Sequence, residues 1–306
     1  MQRKGFFFLA VTIFFFSTYE VVSKTIGGAI DPIQLNFLRF FFGGLLLLPL
    51  ALRDLKKRQL RLSLKNMLLL AMIGLFSVGL SMNLLQFGIN LTKANLAAVI
   101  FSSNPLFVTL AASLWLRERL SLAKLSGILV GFIGVYLTFS GEVTVGSGFY
   151  TGIVLLVLSA LTFGVITVAG KRITLSLGSL SMNACSFLFG SIALIPVLIW
   201  RHTPVFAFNA SIWPQLLYLT VLVTAVAYYC YFVGLSMLDT SLGATVFFVK
   251  PLLASLLAAA VLGERLTAGL VFGMLLVLVS IYLVLRGAGL TNERSKGEER
   301  INKPIA

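Results

Sequence analysis

Charge is what this sequence has least of. Only 11% of its 306 residues are Asp, Glu, Lys or Arg, less than half the share with which a soluble domain covers its core. That excludes a water-soluble fold of this length; lipid is the solvent the composition fits. Other absences narrow the chemistry. The single histidine, His202, falls at the edge of an apolar stretch, and no Asp lies midway along one. A metal cluster, a paired-carboxylate site and a Ser/His catalytic set are therefore not expected inside a bilayer. Cys185 and Cys230 lie in apolar runs without the spacing of a disulfide framework or a metal site. No P-loop motif occurs, so ATP is not the direct energy source. No cofactor, no metal, no nucleic acid and no catalytic residue are expected.

What is present is apolar length. Hydrophobic residues make up 58% of the chain, with 26 Phe, and the mean hydropathy is +1.01. About 20 residues at 1.5 Å rise cross the hydrocarbon core, and a helix pairs its own backbone polar groups while it does so. On that ruler the spans fall at 5–24, 32–52, 66–89, 94–116, 121–140, 149–170, 178–200, 213–236, 241–262 and 267–286. The expected fold class is an all-α integral membrane protein of ten transmembrane helices. Pro32 and Pro214 stand near the starts of spans, where a missing N–H costs little. Arg3-Lys4 followed by an apolar run resembles a signal peptide, but no small-x-small cleavage site follows it, so an uncleaved first span is expected.

The net charge of +14 reads as topology. With the N-terminus inside, cytoplasmic segments hold 18 of the 24 Lys and Arg, among them Arg53, Lys56, Lys57, Arg58, Arg61 and Lys65. Outer segments hold four, Lys24, Lys93, Arg201 and Arg265, and two more, Arg39 and Lys250, fall inside spans. Both termini are expected in the cytoplasm of a protein of the cell (inner or plasma) membrane. The polar stretch 287–306 has no apolar periodicity and is expected to be a disordered tail.

Residues 101–139 repeat ungapped at 247–285, with 13 identities in 39 positions that include Pro105/Pro251 and Glu118-Arg119/Glu264-Arg265. Gly88/Gly234 and Ala98/Ala244 extend the match, and Lys24 pairs more loosely with Lys171. The halves are 5–140 and 149–286. Each has five spans, an odd number, so the second half enters the membrane from the opposite side and the repeats are inverted. Inverted repeats build two gates around one midplane site, the arrangement of secondary transporters.

Leu38-Arg39-Phe40, Asn104-Pro105-Leu106, Leu116-Arg117-Glu118-Arg119-Leu120 and the second copy from Pro251 through Leu262-Gly263-Glu264-Arg265-Leu266 resemble the EamA-type members of the drug/metabolite transporter superfamily. The resemblance spans nearly the whole chain. It implies ten helices, cytoplasmic termini, a central cavity between the halves and a small-molecule cargo such as an amino acid, with export the expected direction. Lys250 stands where that family more usually has a neutral or acidic residue.

Intramembrane charge is costly and needs a reason. Arg39 fits either an anion-facing or gate-pairing guanidinium, or a structural Arg bonded between helices. Lys250 precedes Pro251, which frees carbonyls in its helix; its ammonium would bind a substrate carboxylate or partner Glu20. Asn104 precedes Pro105, with Ser102 and Ser103 beside it. These two breaks, with Pro105 and Pro251 as hinges, mark matched positions in the halves. Glu20 fits a coupling site for an ion or a solvated rim residue. Asn83, Gln86 and Asn90 share one helical face that lines the cavity or bonds a neighbouring helix. Tyr228, Tyr229 and Tyr231 would stack on a ligand or only pack. Glu118 and Glu264 are expected to cap helices or pair with Arg. Gly127-x-x-x-Gly131 and Ala254-x-x-x-Ala258 allow close helix approach, and Trp115, Trp200 and Trp213 read as interface anchors. The substrate and the lipid bilayer are the partners implied; oligomeric state is not legible. A non-transporting scaffold or regulatory subunit, and less so an intramembrane enzyme, are the alternatives.

Overall fold

The computed structural model describes residues 2–116, 122–139, 148–238 and 250–301. Among them there are helices and no strands. Seven helical segments have the length and composition to cross a membrane, and three shorter apolar ones complete ten. In chain order they are α1 Gln2–Ile26, α2 Pro32–Lys57, α3 Leu64–Leu91, α4 in two pieces Ala94–Phe101 and Asn104–Leu116, and α5 Leu122–Phe139. The second half has α6 Phe149–Leu177, α7 Ser179–Trp200, α8 Ala210–Met237, α9 Lys250–Leu262 and α10 Ala268–Ile301. The first residues expected for the ninth span, 241–249, and Glu118 lie outside the described residues. Helix α10 continues beyond Gly287, into the polar stretch with no apolar period.

Local chemistry sets the ends. Asp31 caps α2, its Oδ1 accepting from the N–H groups of Ile33 (2.8 Å) and Gln34 (3.3 Å), with Pro32 in the first turn where no intrahelical donor is lost. Ser63 caps α3 by accepting from the Asn66 N–H at 3.2 Å. Gly178 alone joins α6 to α7 with φ +85°, a conformation that β-carbon sterics make costly for other residues.

Polarity is inside out relative to a soluble protein. Glu20, Arg39, Lys250, Asn36 and Asn104 are fully buried, whereas Phe7, Phe14, Leu64, Leu122 and Phe272 are exposed along the outer surface. With lipid as solvent, that surface is satisfied and the interior is left to packing and hydrogen bonds. Trp200 and Trp213 are exposed at helix ends, as interface anchors are.

The two halves interdigitate. Helix α1 packs on α8 and α9, and its repeat mate α6 packs on α3 and α4; α2 packs on α8, and its mate α7 on α3. The pairs α2/α7, α4/α9 and α5/α10 are each in contact with their own mates, so a pseudo-two-fold axis runs between them. These are inverted five-helix repeats whose first helices are exchanged. Glycine permits the closest crossings. At α3/α7 a β-carbon on Gly74 would overlap the Ser186 carbonyl, and one on Gly190 the Gly74 carbonyl. At α5/α10 a β-carbon on Gly134 would lie 2.9 Å from the Gly273 carbonyl oxygen.

Helices α3 and α8 both widen into π-helix, at Leu75–Ser81 and Leu219–Val226. The two segments are repeat equivalents, and single π turns of this kind concentrate at functional sites. Matched side chains accompany them. Ser159 of α6 donates to the Ser81 carbonyl (2.8 Å), as Thr12 of α1 does to the Ala227 carbonyl (3.2 Å). Asn36 of α2 donates to the Met82 carbonyl (2.9 Å), as Asn183 of α7 does to the Tyr228 carbonyl (3.2 Å). Buried carbonyls at the end of each wide turn are thus paired from the neighbouring helices.

Candidate functional site

Helix α4 breaks where the sequence places Pro105. A proline at 105 has no N–H for the Phe101 carbonyl. The Asn104 amide donates to that carbonyl instead, at 3.2 Å. The chain turns through Ser102 and Ser103, whose hydroxyls bond the Ala98 and Ile100 carbonyls at 2.6 Å each. The matched helix α9 begins at Lys250-Pro251 among the described residues.

Between the halves lies a cavity of about 20 Å3, lined by Tyr19, Arg39, Met82, Phe101, Tyr228 and Lys250 among others, room for about one water. Phe16, Phe163, Leu85 and Val223 complete its apolar wall. Lys250 is bonded to Glu20 in an ion pair that joins α9 to α1 across the repeat. Both side chains are buried, and the Lys250 ammonium also lies 4.7 Å from the centre of the Phe101 ring. This overturns the reading of Glu20 as a solvated rim residue.

Arg39 is held differently. Its guanidinium carbon is 4.4 Å from the centres of both the Tyr19 and the Phe40 rings, and its Nε donates to Asn36 Oδ1 at 2.9 Å. Asn36 in turn donates to Asn83 Oδ1 (2.9 Å), and Asn83 donates to the Val78 and Gly79 carbonyls inside the π segment (2.9 and 3.0 Å). A chain of side chains therefore ties the guanidinium to the wide turn of α3. Gln86 accepts from Tyr19 Oη at 2.6 Å and bonds Ser23.

Of the residues singled out in the sequence, Lys250, Arg39 and Tyr228 meet at the cavity wall. Asn83 and Gln86 do not line it. Their amides are spent on carbonyls, Tyr19 and Asn36, so the polar stripe of α3 bonds neighbouring helices rather than facing the space. Ser103 and Asn104 are likewise turned to backbone carbonyls of α4. Tyr228 makes edge contacts with Phe16, Phe40 and Phe187. Tyr19, Asn36 and Met82 were not singled out. Met82 stands at the repeat offset from Tyr228, and Asn36 one helical turn before Arg39, signals that point to both.

Two further matched features hold helix ends. Lys24 donates to the Ile89 carbonyl (2.8 Å) at the end of α3, and Lys171 to the Leu238 carbonyl (2.9 Å) at the end of α8. Glu264 accepts from the N–H groups of Ala94 (2.7 Å) and Asn95 (2.9 Å), capping α4 from the other half. Among the described residues no group of His, Cys, Asp and Glu is arranged to hold a metal ion.

The EamA-like transporter family matches the chain twice, over residues 3–140 and 150–286. A Clostridium kluyveri protein named an uncharacterized transporter is 33% identical over 285 residues, 91% of this chain and 92% of the relative. A Rickettsia conorii S-adenosylmethionine uptake transporter is 27% identical over 181 residues, 59% of each chain. A solved crystal structure superimposes with a TM-score of 0.69 over 95% of this chain and 99% of that one, at 19% identity, which speaks for the fold alone. With both halves matched and ten membrane helices arranged as inverted repeats, the chain belongs to the EamA-like transporter family and is a multi-pass membrane transporter.

Proposed function

We propose that this chain is a secondary transporter that exports small metabolites, amino acids or related carboxylated compounds, by alternating access around the Arg39–Lys250 cavity. The observation that carries the reading is the buried Glu20–Lys250 ion pair, which joins α1 of one half to α9 of the other at the cavity wall. Buried charge within a membrane span marks a cargo or ion pathway. A cavity of about 20 Å3 is too small for a metabolite, so this conformation is a closed one that must open to load. The two π segments and the break at Asn104-Pro105, with Pro251 opposite, supply the places where α3, α4, α8 and α9 yield. Glu20 is the coupling residue, releasing Lys250 when it binds a proton or another cation. The bias of Lys and Arg between alternate loops supports both termini on the cytoplasmic side of the cell membrane. One relative's name, S-adenosylmethionine uptake transporter, supports a small metabolite as cargo.

Flux into and out of proteoliposomes, with wild type and Lys250→Ala, tests the reading. Wild type should move carboxylated metabolites, faster in the export direction under an inward-directed cation gradient, and the variant should lose most of that flux. Unchanged rate and affinity in the variant for every carboxylated substrate would remove Lys250 from the site. Stable capture of a membrane partner with no flux of any metabolite would favour a scaffold instead.

A further inference from the structure

We infer that the cavity selects cargo of net charge minus one, a small carboxylate with a hydrogen-bond donor beside it such as a 2-hydroxy acid, and that Arg39 rather than Lys250 anchors the carboxylate. This rests on the proposal that the cavity is the transport site.

Among the described residues two basic side chains, Arg39 and Lys250, line the cavity, and the carboxylate of Glu20 stands behind Lys250 as its partner. Lys250 has its counter-ion in Glu20. Arg39 has none. Its neighbours are two aromatic faces and the amide oxygen of Asn36, and its Nη2 is buried with no hydrogen-bond partner. A ring face is a partial substitute for an anion, and a buried guanidinium left with a free donor is matched best by carboxylate. Glu20 supplies the second half of the recognition. One of its oxygens holds Lys250 and the other, Oε2, is buried and unpaired, an acceptor for a hydroxyl or ammonium next to the carboxylate.

Charge arithmetic then separates cargo classes. The cluster carries one net positive charge. A monoanion leaves the loaded cavity neutral, a zwitterion leaves the positive charge in place, and a cation raises it to two. Uncompensated charge in a buried site is strongly disfavoured, so affinity should fall in that order. Phe16, Phe101, Phe163, Leu85 and Val223 on the remaining wall suit an apolar or aromatic side chain rather than a second charge.

Three probes with one side chain test this: phenyllactate, phenylalanine and phenethylamine, compared by thermal shift of the purified full-length protein and by flux in proteoliposomes. Wild type should prefer phenyllactate over phenylalanine by on the order of tenfold, with phenethylamine weakest. Arg39→Gln should abolish the ranking and Arg39→Lys should keep its order. Lys250→Met removes one positive charge and should flatten the ranking; adding Glu20→Gln restores the net charge and should restore it. That pair of variants decides the matter if Arg39→Gln does not fold. Equal or tighter binding of the zwitterion or the cation by wild type would overturn the inference while leaving a carrier in place. So would a ranking that survives Arg39→Gln, or one that the double variant fails to recover. Neither binding nor flux of any of the three with wild type would overturn this inference alone; the transport reading it rests on falls only if no metabolite is moved at all.

Discussion

Tyr228 Oη donates to Met82 Sδ at 3.1 Å, and the two residues are 146 positions apart, the offset of the internal repeat. Equivalent positions of two halves can touch only on the axis that relates them. The pseudo-two-fold axis therefore passes through the cavity wall, where α3 meets α8. Next to each residue stands the end of a π segment, and each backbone carbonyl accepts from an asparagine of the repeat-related helix, Asn36 or Asn183. The symmetric part of the site is thus backbone and amide. The asymmetric part is the chemistry: Met against Tyr here, and Asn104 against Lys250 at the two proline breaks.

The hydroxyl–thioether bond is weak, so its loss should be modest. Tyr228→Phe is expected to cost about 0.5–1 kcal/mol, the range of a typical intramolecular hydrogen bond. Met82→Leu added to it should cost little more, because the shared contact is already gone. Thermal unfolding of the two single variants and the double in detergent measures this; fully additive costs would mean that the contact carries no energy.

The Glu20–Lys250 pair should behave as buried pairs do. Removing one partner leaves an unmatched charge and is expected to cost about 3–5 kcal/mol, whereas replacing both with apolar or neutral groups should recover most of it. Glu20→Ala and Lys250→Ala should each unfold well below wild type, and Glu20→Gln/Lys250→Met close to it. A double variant no more stable than the singles would show that the pair is not what the singles disturb.

Much of this was legible before the fold was known. Apolar length and the spacing of Lys and Arg outlined ten spans, and the ungapped match with Pro105 over Pro251 revealed the inversion, because identical residues at a constant offset survive any uncertainty in helix ends. Arg39 and Lys250 stood out because charge is rare there. The polar stripe of α3 was legible as a stripe but not as to what it faced, since a period of three to four residues places Asn83 and Gln86 on one face without saying whether a cavity or α1 and α2 lie opposite. Glu20 was legible as a partner for Lys250, but its place near a span end fits a solvated rim residue equally well, and only the packing of α1 on α9 decides between the two. The π segments leave no trace in composition: Leu-Phe-Ser-Val-Gly-Leu-Ser holds no residue type that marks a wide turn, and the side chains of α6 and α2 that pair the carbonyls at its end lie far away in the sequence.

The α3/α7 crossing depends on glycine. A β-carbon on Gly74 or Gly190 would meet backbone of the opposite helix, which cannot rotate away as a side chain does. Gly74→Ala and Gly190→Ala are expected to destabilise by about 1–3 kcal/mol or more, as overpacking does. Gly79→Ala, which meets only the Leu75 side chain at 3.3 Å, should be within about 0.5 kcal/mol of wild type. Equal unfolding temperatures for all three would place the crossing elsewhere.

Glu264 ties the end of the second half to the start of α4 in the first. Two charge-assisted bonds to the orphan N–H groups of Ala94 and Asn95 are an N-terminal cap supplied from outside the helix. Glu264→Ala should cost about 1–2 kcal/mol, and Glu264→Gln less, since the amide oxygen still accepts one of the bonds. Because α4 carries the Asn104-Pro105 break, hydrogen exchange at Ala94–Phe101 should rise in Glu264→Ala. Unchanged protection there would show that the cap does not hold the half-helix.

The side-chain relay from the π segment to Arg39 has a graded consequence. Asn83→Ala removes the donors to the Val78 and Gly79 carbonyls and the acceptor for Asn36, but leaves Asn36 bonded to the Met82 carbonyl and to Arg39. Asn36→Leu removes the acceptor of Arg39 Nε itself and strands Asn83 Oδ1 and the Met82 carbonyl as well. Each buried group left without a partner costs about 1–3 kcal/mol, so Asn36→Leu should be the more destabilising of the two. Function should separate them further. In Asn83→Ala the guanidinium keeps its partner, so the maximal rate should suffer through the wide turn while substrate affinity changes little. Asn36→Leu frees the guanidinium to swing, so affinity should fall by about tenfold. Asn36→Asp tests the same link in the opposite sense. It keeps an acceptor for Arg39 and supplies an anion beside the guanidinium, but with no N–H it strands the Met82 carbonyl and Asn83 Oδ1 as Asn36→Leu does, so it should lose stability as well as affinity for anionic cargo. An affinity in Asn36→Asp equal to wild type would mean that Arg39 does not meet the substrate.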